Sequence, residues 1–370
     1  MYVYAGYPIL LATGLLGRRQ TGRHARNAAA ALPRLSVIVA AHNEESAIES
    51  KLLNIFASDY PRELLEILIG SDGSSDSTEQ IVRKYAGDGV GLISFPQQQG
   101  KSAMQNGLVA AASGEVLVFT DADCEFGPQA LRSMVARFGD PGVGLVTGVP
   151  WYANETENTV TANEGEYLRY ESWLRAQESE RGMLAMASGS LFAMRQILWR
   201  PLDRNLGDDF ELPIRVALAG FRNVLERGTA TVTRLSQKSH ESMFVLKVRI
   251  ISKDFRALRS YGLILNPLKH TKFAVALWSH KLLRWFVPYF ALGMFISSGF
   301  LLQLTFYRYM FLAQAGFYAI AALGILIGPR RLGFPWSIAT SFCVVNLAAA
   351  VGVFKSFGRR GSGSWTPVRS

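Results

Sequence analysis

The sequence of 370 residues is 49% apolar, carries a formal net charge of +10 and contains only two cysteines, Cys124 and Cys343. Two cysteines exclude a disulfide framework, and the length allows one large domain with further elements around it. The charge would suit nucleic acid, but it is concentrated beside apolar stretches, so a membrane surface is the expected partner and nucleic acid is not.

Residues 1 to 16 form the first apolar stretch. It is shorter than the about 20 residues that cross a bilayer as a helix, and it lacks the basic start and small-residue cleavage site of a signal peptide. Residues 1–17 are therefore read as a short N-terminal membrane helix. Arg18, Arg19, Arg23, His24 and Arg26 follow directly and mark that side of the membrane as cytoplasmic.

Residues 33–240 alternate short β-branched runs with helical spacing. LSVIVAA (35 to 41), EILIGSD (66 to 72), VGLISF (90 to 95) and EVLVFTD (115 to 121) read as strands buried on both faces. Ile48, Leu52, Leu53, Ile55 and Phe56 recur as on a helix between the first two strands. The pattern predicts an α/β domain with a mostly parallel sheet, in which ligands bind beyond the carboxyl ends of the strands. Those ends are unusually polar: His42 to Glu45, then Asp72 and Gly73, then Gln97 to Lys101, then Asp121 and Asp123.

Asp121 and Asp123 leave their strand at i and i+2, so both carboxylates can approach one hard cation, Mg²⁺ or Mn²⁺, whose shell phosphate oxygens and water would complete. Such a cation would neutralise a diphosphate leaving group. An isolated Asp-x-Asp reads equally as a polar turn capping a helix, and the end of an apolar strand in such a sheet favours the metal. Lys101 can add a second positive charge or be a solvated lysine at a helix start. GKS at 100 to 102 is not a P-loop, because Phe95 stands where that motif needs glycine. Asp72, in SDGSSDST, serves as ligand or as turn device. Asp208 and Asp209 either cap a helix beginning at Phe210, with Pro213 in its first turn, or supply an acid to the rim.

Six segments in this order, VIVAAHNEES, GSDGSSDST, QQGKSAMQNG, FTDADCEF, ASGSLFAMR and LGDDFELPIRV, resemble glycosyltransferase family 2, the inverting nucleotide-sugar-dependent enzymes with a GT-A fold. The resemblance covers about residues 35 to 255. It implies that Glu44 and Asp72 lie against the nucleoside, that Lys101 lies near the diphosphate, and that Asp121 and Asp123 bind donor and metal. It also implies that Gly189 and Ser190 help form the acceptor pocket. Family members usually show Glu-Asp where this chain has Asp208-Asp209, so Asp209 takes the position of the general base and Asp208 stands on the acceptor side. An inverting transfer needs such a base, because the acceptor hydroxyl attacks opposite the leaving group and must lose its proton.

Trp151 in GVPWYANETEN and Trp173 could stack on sugar rings, but Tyr167, Tyr170 and Trp173 fall at helical spacing and read as core. In residues 241–281, Phe244, Val248, Ile251, Phe255 and Leu258 share a helix face while Lys247, Arg249, Lys253, Arg256 and Arg259 fill the rest. This reads as interfacial helices at the inner leaflet, or as a helix packed on the catalytic domain. His240 just before it reads as structural. Processive relatives, the cellulose and hyaluronan synthases, place Gln-x-x-Arg-Trp here. Only Arg249, a phosphate contact by that resemblance, remains, with Leu246 and Ile250 at the other two positions.

Residues 282–354 contain three apolar stretches, 282 to 304, 307 to 328 and 334 to 354, each long enough to span a bilayer. Arg330 and Arg331 mark the cytoplasmic side, while parity of spans puts the tail, 355–370, outside despite Lys355, Arg359, Arg360 and Arg369. The expectation is a multi-pass inner-membrane enzyme with its catalytic domain in the cytoplasm. It would transfer sugar from a nucleotide-diphosphate sugar, a UDP-sugar first, to a lipid-linked or saccharide acceptor. The alternatives are a processive synthase, requiring a homo-oligomer or export partner, a non-catalytic nucleotide-binding membrane protein, and a soluble-type nucleotidyltransferase.

Overall fold

The computed structural model describes residues 1–17, 31–155, 157, 159–233, 239–328 and 336–358. The chain opens with a π-helical turn, Tyr2–Gly6, and α1 (Tyr7–Ala12). A βαβ series follows: β1 (Leu35–Ala41), α2 (Ile48–Phe56), β2 (Leu65–Asp72), α3 (Thr78–Arg83), β3 (Val90–Phe95), α4 (Lys101–Ala111) and β4 (Val116–Thr120). Then come β5 (Glu125–Phe126), α5 (Ala130–Arg137), β6 (Val143–Tyr152), α6 (Thr159–Glu180), β7 (Leu191–Arg195), α7 (Asp208–Leu218) and β8 (Arg222–Thr233).

The strands make one eight-stranded sheet ordered β3-β2-β1-β4-β7-β6-β8-β5. Pairs β3–β2, β2–β1, β1–β4 and β6–β8 are parallel, whereas β4–β7, β7–β6 and β8–β5 are antiparallel. The chain winds one way from β1 to β2 and the other way to β4, so the ends of β1 and β4 flank the crevice expected of such a switch point.

The apolar strand runs are explained by burial on both faces. Val37 and Val39, Ile67 and Ile69, Val116 and Val118 enter the layer under α2 and α5. Their alternates, Ile38, Leu68, Leu117 and Phe119, enter the layer under α4 and α7, as the period of two along a strand requires. Each large side chain so buried contributes about 1.5–3 kcal/mol. Phe119 stacks on Phe192 at 4.8 Å and on Trp199 at 5.3 Å. β3 departs from the expectation: it is the edge strand, and only Val90 in it is fully buried.

The remaining helices are α8 (His240–Ser260), α9 (Thr271–Ala276), α10 (Leu283–Phe300), α11 (Thr305–Ile327) and α12 (Trp336–Ser356). Ser239 caps α8, accepting from the Ser242 N–H at 3.1 Å. The expected apolar face of α8 is buried, but its neighbour is α12: a methyl group on Gly352 would meet Ile251 Cβ at 3.0 Å. The basic residues do not form a free lipid-facing stripe either. Arg256 donates to the Lys355 and Ser356 carbonyls at 3.2 and 3.4 Å, and Arg259 to the Ser356 carbonyl at 3.3 Å. These contacts cap the negative end of α12.

A third core, with Tyr7, Phe210, Phe255, Trp285 and Val353, joins α1, α7, α8, α10 and α12. The N-terminal segment is therefore partly buried here, its apolar helix runs only from Tyr2 to Ala12, and it is too short to span. Among the described residues two helices, α11 and α12, are long and apolar enough to cross a membrane, instead of the three expected. α10 has 18 residues and carries buried Arg284 in its first turn. The basic loop at 18 to 26, Arg330 and Arg331, and the tail arginines fall outside the described residues.

Candidate active site

The β1 and β2 ends are laced together before any ligand arrives. Asn43, at φ 54°, accepts the Ser75 N–H at 2.8 Å, and the Glu44 N–H donates to Thr78 Oγ1 at 2.8 Å. Asp72, 1% exposed, accepts the Gln99 N–H at 2.7 Å and the Gly100 N–H at 2.9 Å. Its carboxylate thus shapes the loop leading into α4. Gly73 has φ +66°, and any Cβ there would meet the Gln98 nitrogen at 2.9 Å, so the close approach of the two loops requires glycine.

Behind the Asp121–Asp123 turn sits Lys51, 1% exposed. Its Nζ donates to Thr120 Oγ1 at 2.7 Å and to the Cys124 carbonyl at 2.8 Å. The Ser190 carbonyl accepts from Thr120 Oγ1 at 2.9 Å and from Cys124 Sγ at 3.0 Å. The turn is therefore fixed from both sides, by α2 and by the start of β7. Burial and the neighbouring Asp121 charge push the Asp123 carboxyl up, a repulsion that a divalent cation between the two would relieve. Among the described residues no group of three or more His, Cys, Asp or Glu is placed to hold a metal. Asp121 and Asp123 fit Mg²⁺ or Mn²⁺ as a two-carboxylate set whose shell a diphosphate and water complete.

Lys101 Nζ bridges Asp121 Oδ1 at 2.9 Å and Asp208 Oδ2 at 3.3 Å. Burial opposes its charge, but these two carboxylates raise its pKa well above that of a free lysine. Asp208 also accepts from Gln105 Nε2 at 2.7 Å. Although burial opposes it, Lys101 and Gln105 hold the Asp208 carboxyl below the usual range. Both acids lie in the first turn of α7, whose N-cap is Gly207, with no side-chain cap bond. The helix-capping reading does not hold, and Pro213 sits inside the helix. The Asp208 carboxylate faces Lys101 and Gln105 of α4.

Asp209 faces the other way. Its carbonyl accepts the Ala187 N–H at 2.8 Å, tying α7 to the Gly189–Ser190 segment, and its Oδ2 lies 3.8 Å from where a Gly189 Cβ would be. A Cβ on Gly207 would meet Asp209 Oδ1 at 3.0 Å and Asp254 Oδ1 at 3.3 Å, so two carboxyls converge over that glycine. Burial and the Asp208 charge push Asp209 up to about 6. Burial and the Asp209 charge push Asp254 up to about 8. A carboxyl near 6 is still ionised at neutral pH and is a stronger base than an ordinary aspartate.

Asp121, Ser190, Gly189 and Asp209 line one end of a cavity of about 440 Å³. Tyr4 and Val345, Asn346 and Ala349 of α12 line the same cavity. The structure thus brings Asp121, Gly189, Ser190 and Asp209 together, with Lys101 and Asp208 directly behind. Glu44 and Asp72 lie farther along the strand ends. Arg249 is partly buried on α8, where burial lowers its pKa, and among the described residues it forms no side-chain hydrogen bond or ion pair. Tyr167 lines the cavity instead of filling a core, and Trp173 and Trp151 are each 42% exposed.

Sequence reasoning missed Lys51, Asp254, Arg175 and Lys281. Two carried a signal: Lys51 interrupts the apolar face of α2, and Asp254 is the lone acid within the basic helix after residue 241. Arg175 and Lys281 became visible only when α6 and the turn before α10 met at the cavity.

Residues 36–200 match the family model described as Glycosyl transferase family 2. The chain is 33% identical over 151 residues to Glycosyltransferase AglE of Haloferax volcanii, covering 40% of this chain and 48% of that one. It is 29% identical over 197 residues to Beta-monoglucosyldiacylglycerol synthase of Trichormus variabilis, covering 50% of this chain and 42% of that one. The aligned parts thus span about half, or less, of these relatives' length. The structure resembles that of mannosyltransferase PcManGT from Pyrobaculum calidifontis in complex with GDP-Man and Mn²⁺, with a TM-score of 0.70 and 22% identity. That likeness covers 96% of this chain and 97% of the other, C-terminal helices included, and shows the GT-A fold.

Proposed function

We propose that this chain, which carries a family 2 glycosyltransferase domain, is a membrane-bound inverting enzyme that transfers a sugar from a nucleotide-diphosphate donor to a lipid-linked acceptor. One observation carries this reading: Asp209 shares a cavity with Asp121 and with residues of α12.

On this reading the donor diphosphate lies at the strand ends, where Lys101 offers a charge and the N–H-rich loop fixed by Asp72 meets α4. Bound Mg²⁺ or Mn²⁺, held by Asp121 and Asp123, would neutralise the departing diphosphate. Asp209 accepts the proton of the attacking acceptor hydroxyl from across the cavity, and Gly189 leaves room beside it for the sugar. Asp208 keeps Lys101 in place and so acts as a positioning residue. The exposed apolar side chains of α10 and α11, among them Phe290, Phe300, Phe306 and Leu326, would be unfavourable in water and suit lipid. A relative named for a glucosylated diacylglycerol supports a lipid acceptor. Leu246 and Ile250, in place of the glutamine and tryptophan of processive enzymes, support a single transfer.

The test is nucleoside diphosphate release by the full chain in detergent from a panel of UDP- and GDP-sugars, with lipid extract as acceptor, in Mn²⁺ or in EDTA. Release from one donor that requires both Mn²⁺ and lipid supports the reading. Release of pyrophosphate instead would assign the site to nucleotidyl transfer.

A further inference from the structure

The cavity wall between Asp209 and α12 contains more cations than it pairs. Lys247 pairs with Glu164 at 2.8 Å, Arg284 pairs with Glu171, and His280 lies 2.8 Å from both Glu171 and Glu178. Arg175 of α6 and Lys281 of the turn Leu277–Leu282 line the same wall. Neither makes a hydrogen bond or ion pair among the described residues, and the Nε of Arg175 is buried without a partner. Both side chains are half-buried in the cavity wall; a partly desolvated cation without a partner is costly, and a buried polar group left unsatisfied calls for an explanation such as a bound water, ion or ligand.

Their surroundings narrow the ligand. Burial lowers the Lys281 pKa, and Arg175 and Arg284 lower it further, while Glu171 and Asp254 act in the opposite direction. Glu171, the carboxyl that acts most on Lys281, is already held by His280 and Arg284, and neither Asp254 nor Asp209 forms an ion pair with Lys281 or Arg175 among the described residues. The donor diphosphate has its own cation, Lys101, at the strand ends. A second anion, entering from the side of α12, is what the wall lacks.

We propose that Arg175 and Lys281 form a binding site for a phosphate group on the acceptor lipid, holding its headgroup between Asp209 and the helices α10 to α12. This rests on the acceptor occupying that cavity, as in the function proposed above. The site distinguishes this chain's acceptor from an uncharged diacylglycerol. It also gives the attacking hydroxyl an anchor, since a guanidinium and an ammonium together fix a phosphate in position and direction.

The experiment compares the full chain in neutral phosphatidylcholine nanodiscs with its Arg175→Gln/Lys281→Gln double variant, using farnesyl phosphate, farnesol, inorganic phosphate and farnesoic acid as probes. The wild type is expected to bind farnesyl phosphate at least tenfold more tightly than farnesol, and the double variant to lose that preference. Nucleoside diphosphate affinity should be the same in both, which also certifies the variant's fold. Arg175→Lys should recover part of the preference. Equal binding of phosphate and alcohol, or a preference that survives in the double variant, overturns the proposal. So does inorganic phosphate binding as tightly as the lipid, farnesoic acid binding more tightly than the phosphate, or a fall in nucleotide affinity, which would give the cations to the donor. Donor-dependent nucleoside diphosphate release, measured separately, isolates the two ideas. Release without a phosphate preference sinks only this inference, while a phosphate preference without release sinks only the enzymatic reading.

Discussion

The two ends of the cavity are built differently. At the end proposed for the donor most charged groups have a neighbour in place: Asp72 holds two N–H groups, Lys101 joins Asp121 to Asp208, and Lys51 holds the turn from behind. At the end proposed for the acceptor Asp209, Asp254, Arg175 and Lys281 come from four separate elements; Asp254 is buried, the other three are half-buried, and their charges are incompletely matched. Preorganisation suits a diphosphate whose shape is always the same, and an unsatisfied wall suits a site completed by its substrate. Substitutions should therefore damage stability at the donor end and turnover or pH behaviour at the acceptor end.

The largest effect should come from Lys101→Ala, which leaves Asp121 and Asp208 facing each other without a cation. Breaking a buried pair costs about 3–5 kcal/mol, and because the Asp121 side chain is 35% exposed the lower figure applies. Denaturant unfolding should show that loss, with donor affinity falling in parallel; unchanged stability would mean the donor end is not preorganised by this residue. Next, Lys51→Met should keep the fold, since methionine fills similar space, but loosen the Asp121–Asp123 turn and weaken nucleotide binding about tenfold. Calorimetric titration of the nucleoside diphosphate checks it.

The acceptor end should reveal itself through pH. Asp209 is faced by Asp208 of its own helix, Lys101 of α4, Arg175 of α6, Lys281 before α10 and, across Gly207, Asp254 of α8. With its pKa at about 6, turnover should rise with pH through that value, and a flat profile between about pH 5 and 7 would argue against Asp209 as the base. Asp254 has its folded pKa raised to about 8, above the about 3.9 of an unfolded aspartate. The folded state then holds the extra proton between those values, so this stabilisation is present at low pH and lost as pH rises through about 8. Asp254→Asn should consequently raise Tm by about 3 °C at pH 8 and change it little at pH 5. A smaller effect is expected from Gly207→Ala, whose new methyl must shift both carboxyls by a few tenths of an ångström. Turnover should fall less than tenfold with stability nearly unchanged.

This contrast also explains what could be read from the sequence. β1, β2, β4 and the helix after β1 were readable because apolar periodicity is local, and Asp121, Asp123 and Lys101 because they sit at strand ends. The hydrogen bonds of Asp72 and Asp208 were not, since Gln99, Gly100 and Gln105 were not visible as partners along the chain. The acceptor wall was least readable. Arg175 and Lys281 lie 106 positions apart and have no meaning as a pair until α6 and the turn before α10 pack together. The basic helix was read by its charge stripe, but Lys247 turns to Glu164 of α6, and Arg256 and Arg259 turn to the last carbonyls of α12.

The most direct test of the account is to measure nucleoside diphosphate affinity and single-turnover sugar transfer for Asp209→Asn beside the wild type. A general base contributes about 10²–10⁴-fold, so transfer should fall by that factor while nucleotide affinity stays within about twofold, the donor end being intact. Transfer at the wild-type rate would contradict the assignment of Asp209, and an equal loss of nucleotide affinity would contradict the separation of the two ends.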